Sequence, residues 1–321
     1  MKFLMIDSHK GNRSTPQNLH WINASKIQAH LMSLGHSVDL IWSYPDVNDN
    51  IQTGYDAILF NHASRYSYVS DEWLLENSSA KLFYITNDYN LGEPVMLWST
   101  VKKNNQYYDV IANHQAKASK VVKKYVNNWN VVNLNALITE DVVQQNHVSN
   151  LNALLDESSR SGCIYYGSYR ADRVKYFQKY FNKNITVSTH VKNRFKFVHQ
   201  GIDANFIDRL NWSRNELSLY NTSLYIEDET THEHYSCLAN RFYEAVNHDT
   251  FPLFDANCRS TIQLSGYDVP EYAMVDTPDE VEYITNHLPE DHVEYLTTWR
   301  KHAVEEKRHA LHTIAKLVTG C

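Results

Sequence analysis

Short apolar runs alternate with longer amphipathic stretches along the first half of the chain, the alternation that an α/β sheet requires. Lys2–Ile6, Ser37–Trp42, Asp56–Phe60, Lys81–Thr86 and Tyr108–Ala112 read as strands, and Val131–Leu134 as a last strand of the same sheet. Between the first two, Pro16 to Leu34 reads as a helix. Ser14 or Thr15 caps it, Pro16 fits its first turn and Gly35 stops it, with Leu19, Ile22, Ile27, Leu31 and Leu34 on its apolar side. Gln115–Asn127 reads as another helix, with Ala118, Val121, Val122 and Tyr125 inward and lysines outward.

The polar, small-residue stretch Glu157-Ser-Ser-Arg-Ser-Gly162 marks a boundary, after which the pattern restarts. Cys163–Tyr166 reads as a strand, followed by a Gly167-Ser168 turn and a helix from about Ala171 to Phe181. Ile185–Ser188, Phe195–Val198, Ser223–Ile226, Phe251–Phe254 and Tyr272–Val275 are further strands. Thr277-Pro-Asp-Glu opens a helix through His287, and Pro289–Val318 is a long, charged helical tract. Two successive βα series of similar length predict two Rossmann-like α/β domains, at 1–157 and 158–300, facing each other across a cleft. Residues 301–321 form a helix that packs back on the first.

Bulk properties narrow the class. At 321 residues the chain is long enough for two cores. No apolar run approaches the roughly 20 residues of a membrane span, and the apolar start is too short for a signal peptide. Four cysteines without CxxC spacing read as free thiols in a reducing cytoplasm. A formal charge of −7 argues against a generally basic, DNA-coating protein but leaves room for a local basic groove. Lys117, Lys120, Lys123 and Lys124 form one basic stripe, and Lys192, Arg194 and Lys196 a second; each is a solvated face or a track for a DNA backbone. The 22 tyrosines suit sugar or base stacking, or reflect composition bias.

The candidate chemistry concentrates in the second half. Arg241 and Glu244 lie three apart on a predicted helix and so share one face: a cation for a diphosphate beside a carboxylate for a ribose diol. Leu238, Phe242 and Ala245 of the same stretch face a core. Gly167-Ser-Tyr-Arg-Ala-Asp-Arg173 sits between a strand and a helix, where free N–H groups attract phosphate and Arg170 and Arg173 add planar charged donors. Three arginines converging from two helices would stabilise the charge that grows on a departing nucleoside diphosphate. In the first half, Asp88 follows the strand Lys81–Thr86, where an acceptor would enter, and is the candidate general base; Glu93 is held in reserve. Lys10, Gly11 and Arg13 lie on a loop that reads either as a solvated turn or as a contact to donor or acceptor phosphates. His232 and His234 flank Glu233 without HExxH spacing, and Glu227-Asp-Glu229 is the nearest approach to a DxD signal. No structural metal and no cofactor is therefore expected, and divalent metal assistance stays open but is not indicated. The absence of a Walker loop and of GxGxxG takes support from nucleotide hydrolysis and nicotinamide chemistry.

Gly167-Ser168 followed by Arg170 and Arg173, then Arg241 and Glu244 on a later helix, resembles the bacteriophage glycosyltransferases that attach sugars from UDP donors to 5-hydroxymethylcytosine in DNA. The resemblance implies a GT-B fold and diphosphate contacts at Arg170, Arg173 and Arg241. It further implies a ribose contact at Glu244, Asp88 in the place of the acceptor-side base, and double-stranded DNA in the groove between the domains. The Glu-x7-Glu pattern of many retaining relatives is missing, since Ser236 stands eight before Glu244. Other readings of the same residues are a GT-B enzyme acting on a surface glycan or small molecule, and a non-catalytic module that binds sugar nucleotide or DNA.

Overall fold

The computed structural model describes residues 1–6, 19–41, 53–61, 73, 76–86, 107–113, 126–140, 160–211, 216–227 and 236–320. The chain divides into two compact units, Met1–Ile138 with Glu305–Cys321, and Thr139–Val304.

The first unit holds six parallel strands: β1 (Lys2–Ile6), β2 (Ser37–Ile41), β3 (Ala57–Asn61), β4 (Lys81–Thr86), β5 (Tyr108–Ala112) and β6 (Val126–Val131), in the order β2-β1-β3-β4-β5-β6. Alternate side chains of the central strands enter different cores, so the strands read as unbroken apolar runs. Leu4, Ile58, Phe60, Leu82, Tyr84 and Val110 form one core. Phe3, Met5, Leu59, Phe83 and Ile111 form another, together with Ala24, Ile27 and Leu31 of α1 (Leu19–Ser33) and with Ala310, Ile314 and Val318 near the C-terminus.

The second unit also holds six parallel strands: β7 (Cys163–Tyr166), β8 (Ile185–Ser188), β9 (Asn205–Ile207), β10 (Thr222–Tyr225), β11 (Phe251–Asp255) and β12 (Met274–Val275), in the order β12-β11-β10-β7-β8-β9. Counted within the unit this is the 3-2-1-4-5-6 order of a dinucleotide-binding sheet, with its reversal between β7 and β10. Among the described residues its helices are α2 (Val174–Tyr180), α3 (Val191–His199), α4 (Asn240–Asn247), α5 (Arg259–Ser265), α6 (Pro278–Asn286) and the first part of α7 (His292–Thr319); α7 runs on into the first unit from Glu305. The start of α6 is a complete capping box, in which the Thr277 hydroxyl accepts from the Glu280 N–H and the Glu280 carboxylate accepts from the Thr277 N–H.

Several expectations need correction. Val126 and Asn127 belong to β6 and not to the end of a helix, and that strand stops at Val131 instead of starting there; residues 114–125 lie outside the described residues. Phe195–Val198 is helical, within α3: the Phe-x-Phe alternation suggested a strand, yet Phe197 is buried while Phe195 is among the most exposed large apolar side chains. Leu34 lies past the end of α1 and is exposed. Strand β9 and helix α5 carried no recognised signal, β9 being only three residues long.

Trp299 of α7 ties the second unit together. It is fully buried, stacks on Phe251 at 5.3 Å, meets Phe242 and Phe254 edgewise or tilted, and donates its indole N–H to the Asp268 carbonyl at 2.7 Å. Trp299→Ala should therefore cost about 3–5 kcal/mol in urea unfolding. Leu264→Ala, at a side chain 65% exposed, should stay within about 0.5 kcal/mol.

Candidate functional site

The reversal of strand order in the second sheet lays β7 parallel to β10, with Cys163 paired to Thr222 and Ile164 to Ser223 at their starts, so that both strands run toward the same edge of the sheet. Chains leave the two strands in opposite lateral directions there, opening the crevice in which parallel α/β sheets take their ligands. Gly167 follows β7, and Glu227 stands two residues beyond β10.

Gly167 has φ +153° and stands against a guanidinium: a Cβ built on it would lie 3.1 Å from Arg241 Nη1 and 3.3 Å from the Tyr165 hydroxyl. Its main chain is fixed on both sides, with its N–H donating to the Ser188 carbonyl and its carbonyl accepting from the Thr189 hydroxyl at 2.7 Å. Glycine is required here both for conformation and for space.

Arg173, at the head of α2, and Arg241, in the first turn of α4, reach one carboxylate: Arg173 Nη2 donates to Glu227 Oε2 and Arg241 Nη2 to Glu227 Oε1. All three side chains are largely buried, with 9%, 13% and 3% of their surface exposed. Arg241 also donates to the Ile226 carbonyl at 3.3 Å and toward the Tyr165 hydroxyl at 3.4 Å, and its guanidinium lies over the Tyr165 ring. Its buried Nε–H has no acceptor among the described residues. Burial works against the charge of both arginines, but Glu227 together with Tyr165 offsets it and holds both pKa values above the ordinary one, while Arg241 opposes the charge on Arg173. Removing the carboxylate would take from both cations the counter-ion they share, a loss on the order of 3–5 kcal/mol.

Glu244 lies one turn along α4 from Arg241 and is partly buried. It accepts from the Asn240 amide at 3.1 Å, while the Tyr166 hydroxyl beside it donates to the Arg241 carbonyl at 2.8 Å. Burial pushes its carboxyl up to about 7, against the Asn240 amide, the Arg241 charge and the Tyr166 hydroxyl, which favour ionisation. Leu238, Phe242 and Ala245 are fully buried, as their spacing predicts.

The structure thus brings Arg241 against Gly167, joins Arg173 and Arg241 through one carboxylate, and places Glu244 on the same helix as Arg241. Ser168 and Arg170 follow Gly167 but are exposed, and Arg170 makes no ion pair among the described residues, so two of the three expected arginines converge and the third stands at the surface. Asp88, Glu93, Lys10, Gly11, Arg13 and the lysine stripe at 117–124 lie outside the described residues. Glu227, the group that joins the two arginines, did not emerge from sequence as part of this site. Its one signal is an acid just after a strand, and its meaning depends on which strand β10 neighbours. Among the described residues, no three His, Cys, Asp or Glu side chains stand together as a metal site, and no helix is long and apolar enough to cross a membrane.

Folded Glu244 holds its proton up to about pH 7, whereas the ordinary carboxylate value is 4.5. Across that interval the folded chain keeps a proton that the unfolded chain releases, so this group's contribution to stability falls as pH rises. Thermal unfolding of the wild type and Glu244→Gln should show the variant gaining on the wild type from about pH 5 to about pH 7, then holding its lead.

No protein-family model matches the chain, and no curated protein matches it. Solved structures do. The chain is similar over 100% of its length to T4 phage BGT in complex with UDP-glucose, covering 97% of that chain at 16% identity and a TM-score of 0.56. It is similar over the same shares of the two chains to a DNA-modifying β-glucosyltransferase solved with and without uridine diphosphoglucose, at 15% identity and a TM-score of 0.57. It is also similar over 100% of both chains to HepE of Anabaena in complex with UDP and glucose, at 11% identity and a TM-score of 0.53. At such identities the likeness concerns the fold, and together with the two parallel six-stranded sheets it identifies a two-unit α/β architecture of GT-B type.

Proposed function

We propose that the chain is a glycosyltransferase that moves a sugar from a UDP-sugar to a hydroxymethylated base in double-stranded DNA, a reaction of the host cytoplasm if the chain is encoded by a phage. The observation that carries the reading is the pair of arginines at the strand-order reversal of the second sheet. They lie on a fold shared along the whole chain with a T4 enzyme solved with UDP-glucose. Arg173 and Arg241, with Gly167, Ser168 and the exposed Arg170, would receive the diphosphate. Glu244 would accept the ribose hydroxyls. Asp88 would take the proton from the acceptor hydroxymethyl group as its oxygen bonds to the sugar's anomeric carbon. The bond from that carbon to the diphosphate breaks, and UDP leaves with the electron pair. The cations at the arginine pair lower this barrier because they are fixed before the charge develops. Lys10, Gly11 and Arg13 would supply further phosphate contacts. No cofactor enters this scheme beyond the donor itself.

A glycan or small-molecule acceptor is the second reading, favoured by the formal charge of −7, which is unusual for a protein that must approach a polyanion.

Incubation with hydroxymethylcytosine DNA and a panel of UDP-sugars, followed by nucleoside mass measurement, tests the reading. A mass gain on that nucleoside is expected, and it should disappear in Asp88→Ala while UDP binding persists. UDP binding without any mass gain would move the acceptor to glycans or small molecules. Retained turnover in Asp88→Ala would remove that residue as the base. Because Glu244 must be ionised to accept two hydroxyls, affinity for UDP-glucose should rise from about pH 6 to about pH 8 in titration calorimetry.

A further inference from the structure

We propose that Glu227 is the positioning residue of the donor site: one carboxylate oxygen holds each guanidinium, and this fixes Arg173 and Arg241 side by side as a fork for a diphosphate.

The inference rests on the donor-site reading above and adds to it a residue that contacts no substrate. Two guanidinium groups brought together in a buried crevice repel each other, and without an anion between them the long side chains would swing apart toward water. Glu227 meets that need with one oxygen for each arginine. Its own geometry is determined, since it lies two residues past β10, where the parallel pairing to β7 and β11 fixes the backbone direction. At 3% exposure its carboxylate has little freedom to turn out to solvent.

Only one nitrogen of each guanidinium is taken by Glu227. Arg241 still has an Nε–H without an acceptor among the described residues and only a long contact from Nη1 to the Tyr165 hydroxyl. Gly167 keeps that Nη1 side clear, since any Cβ there would crowd it at 3.1 Å. The arrangement is an anion receptor held open by an internal anion. A diphosphate would meet two guanidinium groups already gathered, and that preorganisation is where its affinity would come from.

The alternative role for a carboxylate in this place is the opposite one, that of an occupant the diphosphate must displace. The two roles differ in sign. Affinities of the full-length wild type, Glu227→Gln and Glu227→Asp for UDP and for uridine, measured by titration calorimetry, separate them. Uridine lacks the diphosphate and reports on the rest of the site. The wild type is expected to prefer UDP over uridine. Glu227→Gln should lose about tenfold or more of that preference while uridine affinity stays unchanged. Glu227→Asp, which keeps the charge on a shorter arm, should recover most of the loss.

A preference that is unchanged or stronger in Glu227→Gln overturns the inference and leaves the donor site standing. Parallel loss of UDP and uridine assigns Glu227 to the general fold and overturns it too. A wild type that does not prefer UDP over uridine overturns the donor-site reading and this inference together. If Glu227→Gln does not fold, Glu227→Asp decides by itself: a drop of about threefold in UDP preference with uridine affinity kept is expected, and the wild-type preference would overturn the inference.

Discussion

Glu227 and the two arginines it joins are the interaction around which the carboxyl edge of the second unit's sheet is arranged. A carboxylate at 3% exposure is tolerable only when paired and hydrogen-bonded, and Arg173 and Arg241 supply both conditions. Each arginine is tolerable at its own depth for the same reason. The constraint spreads outward to Gly167, whose missing side chain makes room for Arg241, and to Tyr165, whose ring and hydroxyl border the same guanidinium. It also reaches α4, whose first turn must present Arg241 while Phe242, Ala245 and Val246 stay in the core. That double duty makes α4 strongly amphipathic over eight residues.

Topology decides why this lies where it does. Six parallel strands with their order reversed between β7 and β10 leave one crevice at the carboxyl ends, and the loops after those two strands supply Gly167, Arg173 and Glu227. Arg241 follows at the head of α4. The first unit is built on the same principle with a different strand order, β2-β1-β3-β4-β5-β6, so the two halves are alike in class but not copies in topology. The aromatic packing of Trp299 on Phe251, Phe242 and Phe254 gives α4 and β11 a rigid support behind the site. A precise constellation depends on support of this kind as much as on the groups that form it.

Much of the fold was legible in the sequence, for physical reasons. Strands buried on both faces, such as Lys2–Ile6 and Phe251–Asp255, are continuous apolar runs between polar loops, and Thr277-Pro-Asp-Glu spells a helix start in the residues that make its hydrogen bonds. Arg173, Arg241, Glu244 and Gly167 were also legible, because a glycine turn after a strand and an Arg-x-x-Glu pair on a helix carry their geometry locally. What was not legible depends on long-range pairing. Phe195 and Phe197 alternate as in a strand, but tertiary packing buries one and exposes the other on a helix. Glu227 gains its meaning only from β10 lying beside β7, a pairing of Cys163 with Thr222 that no local pattern in the sequence bridges. Arg170 shows the converse: its spacing from Arg173 suggested a shared target, yet the turn leaves it at the surface.

The most direct measurement of the account is a crystal structure of the chain with UDP. The account predicts the diphosphate at the carboxyl ends of β7 and β10, hydrogen-bonded to Arg173 and Arg241, with Glu227 still between the two guanidinium groups and the ribose hydroxyls on Glu244. UDP bound elsewhere, or bound with neither arginine touching a phosphate, would contradict it.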